Sequence, residues 1–115
     1  MFTISYFGGE KVVPHYGIMG PVKSALVTAA QYMAAELGPK GIRVNIVWPG
    51  AVMTRAASGI ERFDELRKQK RSHRPRALVT PEQIGNAVAA LAADWGSIIT
   101  GEVLHLDGGY NIMAG

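Results

Sequence analysis

The chain has 115 residues, enough for at most one ordinary domain, and 48% of them are hydrophobic against 18% charged, which suits a buried core and excludes a disordered tail. It contains no cysteine, which excludes a disulfide framework and thiolate metal sites and fits a cytoplasmic protein. The net charge is +3, and Arg62, Arg67, Lys68, Lys70, Arg71, Arg74 and Arg76 supply seven of the twelve basic residues; with Phe63 as the one aromatic among them, that stretch reads as a solvated helix face and not as a base-stacking nucleic-acid surface.

In chain order, residues 2–7 form a short, mostly apolar run that ends at Gly8-Gly9 and reads as a buried strand followed by a turn. The first residues lack the basic flank and cleavage site of a signal peptide, and no apolar run reaches the length of a membrane span. Residues 15–37 carry the longest helical signal. Met19, Val22, Leu26, Ala29, Ala30, Met33 and Leu37 recur at three- and four-residue steps, and Gly38-Pro39 stops the pattern. Pro21 constrains this segment, because it fits only if the regular helix begins near residues 18–20 or the first turn is irregular. Residues 41–48 alternate and then turn apolar, as a strand ended by Pro49-Gly50. The short link from helix to strand fits a βαβ crossover into a parallel sheet. Residues 51–59 would then form a loop at the carboxyl end of a strand, where open α/β sheets bind ligands.

Residues 60–72 can form a charged helix with Ile60, Phe63 and Leu66 as its apolar stripe, and His73-Arg74-Pro75-Arg76 breaks it. Thr80-Pro81-Glu82-Gln83 is a helix start, with Thr80 as cap, Pro81 in the first turn and Gln83 three after the cap. Ile84, Val88, Leu91 and Ala92 give that helix one apolar side. Residues 101–107 alternate as a strand closed by Gly108-Gly109, beside which Asp107 reads as a turn former. The expected order is strand, helix, strand, two helices, strand, in a single α/β unit over residues 1–115. His15, His73 and His105 have no metal-ligand spacing, so no metal is expected.

Tyr16 and Lys23 carry the chemistry. Seven residues apart on one helix, they would share a face, roughly 10 Å apart along the axis. An ammonium near a phenol lowers the phenol's pKa and can also hold the hydroxyls of a sugar. A Tyr-x6-Lys pair alone equally fits a solvated helix face.

The surroundings resemble the short-chain dehydrogenase/reductase superfamily, and within it the bacterial enoyl-acyl carrier protein reductases. Six residues between tyrosine and lysine, Ser5-Tyr6-Phe7-Gly8 before them, Pro14, and Met19-Gly20 after Tyr16 are similar to that branch. Asn45-x3-Pro49-Gly50-x3-Thr54 resembles the loop after the superfamily's sixth strand. Thr54-Arg55-Ala56-Ala57-Ser58-Gly59-Ile60 resembles the enoyl reductase substrate loop. Thr100-Gly101-Glu102 through Asp107-Gly108-Gly109-Tyr110 resembles the last strand and its turn. Gly17 after Tyr16, Trp48 before Pro49 and Ala51 in the loop depart from the usual pattern.

The resemblance implies the C-terminal portion of a Rossmann-like, doubly wound parallel sheet. No Gly-x-Gly-x-x-Gly element occurs, so the chain alone is expected to lack most of a dinucleotide site and to be inactive by itself. The resemblance further implies NADH as cofactor, with NADPH open, and an enoyl thioester on acyl carrier protein as substrate. Tyr16 would stabilise the enolate oxygen, Lys23 would hold the nicotinamide ribose, and Tyr6 would line the acyl site. Val52 and Thr54 would meet the cofactor, and Met19, Ala56, Ile60 and Phe63 would line an apolar acyl channel, although Met19 and Ile60 also read as core residues and Tyr6 as a structural phenol. The superfamily's tetramers, together with apolar residues on more than one side of segment 15–37, point to a homo-oligomer. Another short-chain carbonyl reductase, or a non-catalytic remnant without the cofactor half, are the alternatives.

Overall fold

A computed structural model of the chain describes residues 1–6, 9, 11–50 and 79–112. Among them, three strands form one parallel sheet in the order β1-β2-β3: β1 is Phe2–Ile4, β2 is Asn45–Pro49 and β3 is Val103–Leu106. Helix α1, Met19–Leu37, connects β1 to β2, and helix α2, Pro81–Ala92, precedes β3. Parallel neighbours need such crossovers. The expected helix over residues 60–72, and the basic stretch around it, lie outside the described residues.

The sheet is organised on β2. Asn45, Ile46, Val47 and Trp48 are all buried, as expected of a parallel strand covered on both faces. Val44 and Ile46 meet Ala30 and Ala34 of α1, with Val27, Leu37 and Val103 packed around them. The small alanines let the helix axis approach the sheet closely. Backbone donors of β2 alternate between its neighbours. Asn45 N–H goes to Met1 O on the β1 side, and Ile46 N–H and Gly50 N–H go to Glu102 O and Leu106 O on the β3 side. Pro49 falls on the β1 side, where it has no N–H to give, and β1 ends at Ile4, earlier than the expected 2–7. Ser5 N–H still bonds Val47 O at 2.9 Å, and Tyr6 follows beyond the end of β1.

Helix α1 starts at Met19, within the 18–20 start that Pro21 requires of the 15–37 segment. Pro21 occupies the first turn, where no intrahelical donor is required, and the first i to i−4 bond beyond it is Val22 N–H to Ile18 O at 3.1 Å. The cap residue Ile18 offers no side-chain acceptor, so Met19 N–H and Gly20 N–H turn back to Tyr16 O and Gly17 O, both at 3.3 Å. At the other end Gly38-Pro39 stops the α-helix as expected, through a 3-10 turn over Gly38–Lys40 and a left-handed Gly41 with φ 75°. The start of α2 also matches its sequence signal. Thr80 accepts from Gln83 N–H, and the Gln83 side chain accepts from Thr80 N–H at 2.9 Å, which completes a capping box.

Two side chains at the start of β2 bind the second crossover. The Arg43 guanidinium donates to Leu91 O, Gly96 O, Ile99 O and Ala92 O at 2.7–3.4 Å, covering two carbonyls that the end of α2 leaves orphaned and two of the segment that follows. Asn45 donates to Ile99 O at 2.9 Å and accepts from Glu102 N–H at 3.2 Å. A Cβ on Gly96 would collide with the Leu91 carbonyl oxygen, so the turn closes this tightly only with glycine there. Arg43→Met should therefore lower the unfolding free energy by about 2 kcal/mol or more, whereas Lys40→Met on the exposed 3-10 turn should change it by about 0.5 kcal/mol or less. Denaturant titration of the two variants checks this, and equal effects would contradict the clamp.

Candidate functional site

The site forms where β1 ends and α1 begins. Tyr6 leaves the sheet, and its ring meets that of Tyr16 at a centroid distance of 5.5 Å and an interplanar angle of 51°. Lys23, on the second turn of α1, donates from Nζ to the Ile4 carbonyl oxygen at 3.1 Å. Gly9 lies directly against this turn of the helix: a Cβ there would come within 3.1 Å of Lys23 Cβ and 3.3 Å of Ser24 N. The tyrosine pair and the lysine thus gather around one strand end.

Tyr16 is not on the helix face that its spacing to Lys23 suggests. It stands before α1, in a pair of linked turns. Its N–H bonds Val13 O at 3.2 Å and its carbonyl accepts from Met19 N–H. It lies between two left-handed residues, His15 with φ 64° and Gly17 with φ 61°. The expected electrostatics are also corrected. Burial pushes the Tyr16 phenol above the ordinary tyrosine range, opposite to the lowering a nearby ammonium would produce. The Lys23 ammonium is engaged with the Ile4 carbonyl, and it does not share a helical face with the phenol. Tyr6 is raised as well, first by burial and then by the charges that Tyr16 and Tyr110 would carry on ionisation. Both phenols are therefore neutral O–H donors across the physiological range.

Tyr110 joins this environment from the far end of the chain. It is buried, and the turn that carries it is built by Asp107, whose carboxylate accepts from Gly109 N–H at 2.9 Å and Asn111 N–H at 2.8 Å. Asp107 is thus the turn former that Gly108-Gly109 suggests. The proximity of Tyr110 to Tyr6 leaves no sequence signal, because it arises from strand order. Met19 opens α1 and is 40% exposed, which separates it from the core cluster. Val52, Thr54, Ala56, Ile60 and Phe63 lie outside the described residues.

An ammonium has three protons and Lys23 directs one to Ile4 O, which leaves donors of the kind that suit the vicinal diol of a nucleotide ribose. No helix among the described residues is long and apolar enough to cross a membrane.

A family model described as "Enoyl-(Acyl carrier protein) reductase" matches residues 1–111. The Escherichia coli K12 enoyl-[acyl-carrier-protein] reductase [NADH] FabI is 42% identical over 115 residues, which cover 99% of this chain and 44% of that protein. The Bacillus subtilis protein of the same name is 42% identical over 113 residues, with 97% and 44% covered. Among solved structures, the Aquifex aeolicus enoyl-[acyl-carrier-protein] reductase (NADH) superposes with a TM-score of 0.91 at 41% identity, over 99% of this chain and 44% of that one. The Bacillus cereus enoyl-acyl carrier protein reductase, solved with NADP+ and indole naphthyridinone, gives a TM-score of 0.92 at 35% identity, over 98% and 44%. The chain spans less than half the length of these relatives.

The raised phenols carry a pH signature. A folded-state pKa above the unfolded value contributes stability that is complete below about pH 10 and is lost as the pH rises through the folded value. The unfolding midpoint should therefore fall on going alkaline from about pH 10, and the Tyr6→Phe, Tyr16→Phe double variant should show a flatter profile. Parallel profiles would contradict the raised phenols.

Proposed function

This chain belongs to the enoyl-(acyl carrier protein) reductase family, and from that premise we propose that it supplies the catalytic portion of an NADH-dependent reduction of the carbon–carbon double bond of an enoyl thioester on acyl carrier protein. The observation that carries this reading is the meeting of Tyr16, Tyr6 and Lys23 at the end of β1. Nicotinamide, when bound, supplies the hydride. The protein's own part is positioning and charge stabilisation.

Tyr16 donates its phenolic proton in a hydrogen bond to the thioester carbonyl oxygen, where negative charge develops as the double bond is reduced. A neutral phenol suits this role: tyrosine keeps its proton at working pH, and burial shifts its pKa further from that range. Tyr6, more enclosed, packs on Tyr16 and limits the directions in which that hydroxyl can point. Lys23 is fixed to the sheet through Ile4 O, and its remaining protons hold the ribose hydroxyls while its charge favours the developing oxyanion. From the family we assign Val52 and Thr54 to cofactor binding, and Met19, Ala56, Ile60 and Phe63 to binding of the acyl group.

The outer surface of α1 supports a homo-oligomer. Tyr32 is 69% exposed, and Val22, Met19 and Met33 are exposed beside it, while Ala30 and Ala34 face the sheet. A contiguous apolar helix face of this kind is covered most economically by a second copy.

Because the match covers 44% of the Escherichia coli protein, the test is a chimera in which residues 1–115 replace the matching segment of that reductase. It should oxidise NADH with a crotonyl thioester. In it, Tyr16→Phe and Lys23→Ala should each lower turnover by about 10²-fold or more, the size expected for losing an oxyanion donor or its supporting charge. Near-parental rates in both variants would reject the assigned roles.

A further inference from the structure

We infer that His15 is a positioning residue for Tyr16, acting through the left-handed conformation of its backbone; the inference rests on the role given to Tyr16 above. Val13 O accepts from Tyr16 N–H at 3.2 Å, with Pro14 and His15 as the two residues between them. Proline fixes a negative φ at the first of these, and His15 has φ 64° at the second, the sign pattern of a type II turn. That position ordinarily takes glycine or asparagine, because a Cβ strains it. Here histidine occupies it, next to the residue whose direction matters.

The second turn shows why the sign of φ is needed. Immediately after Tyr16 the chain turns left-handed again at Gly17, with φ 61°, and Met19 N–H closes back on Tyr16 O. Tyr16 thus stands between two residues of positive φ and is not itself one. Its carbonyl is committed to the start of α1 and its amide to Val13. With both backbone groups held, rotating residue 15 out of the left-handed region would swing the Tyr16 side chain off Tyr6. Pro14 cannot compensate, since its φ is locked. The phenol's aim therefore depends on the backbone conformation of a strained residue, the kind of outlier that clusters at functional sites.

The test is solution NMR of the full chain with residue 15 changed, reading the Tyr6–Tyr16 ring contact by cross-relaxation. The Trp48–His105 edge-on contact, with centroids 4.6 Å apart on β2 and β3, reports separately on the fold. His15→Gly and His15→Asn, which accept positive φ, should keep both contacts. His15→Val, β-branched, should lose the tyrosine contact and keep the Trp48–His105 contact. If His15→Val loses both, His15→Ala decides, and loss of the tyrosine contact alone supports the inference. Retention of the tyrosine contact in His15→Val, its loss in His15→Gly and His15→Asn, or loss of both contacts in His15→Ala would each overturn it. None of these readings uses cofactor or substrate, so failure here is distinct from failure of the turnover test.

Discussion

The hydrogen bond from Lys23 Nζ to the Ile4 carbonyl oxygen, 3.1 Å long, joins helix to sheet at the point where the chemistry would occur. A lysine side chain has four rotatable carbons and would otherwise sample many positions. Tied to a strand end, the ammonium becomes a fixed charge at the mouth of the sheet. The tie needs β1 to stop at Ile4 and the following chain to cross close over α1. The first condition is met at Pro49, which gives β1 no further donor, and the second at Gly9, which lies against the backbone at Lys23 and Ser24. Strand pairing, helix placement and the aim of the lysine are thus one constraint seen from three sides.

The same economy governs the far side of the sheet. Arg43 and Asn45, on either side of Val44, collect the carbonyls and amides of the segment that leads into β3. This fixes the register of β3 against β2, and with it the turn built on Asp107. Tyr110 then lies near enough to Tyr6 to influence its ionisation although the two are nearly the whole chain apart.

Much of this was legible in the sequence. The α1 stripe, the Thr80 capping box, the Gly38-Pro39 stop and the parallel sheet follow from periodicity and turn chemistry, which act locally. The resemblance pointed to Tyr16, Tyr6 and Lys23, and the structure brings them together at one strand end. The helical signal spans residues 15–37, and the regular helix begins within the 18–20 start that Pro21 requires. Pro21 carried that information, since a proline belongs in a first turn. The direction of the tyrosine shift was misread, because spacing along a helix says nothing about burial. Arg43, Gly96 and Tyr110 were not legible: their partners are carbonyl oxygens and rings brought near by the fold, and no residue pattern encodes a carbonyl's position.

The account stands on Tyr16 as the donor to the carbonyl oxygen of the substrate. The most direct test is a crystal structure of the chimeric reductase with NAD+ and a non-reducible enoyl thioester analogue, read for the separation between Tyr16 Oη and that oxygen. The account predicts a hydrogen bond of about 2.7 Å, with Lys23 still held by Ile4 O. A carbonyl oxygen bonded by another group, with the Tyr16 hydroxyl beyond about 3.5 Å, would contradict it.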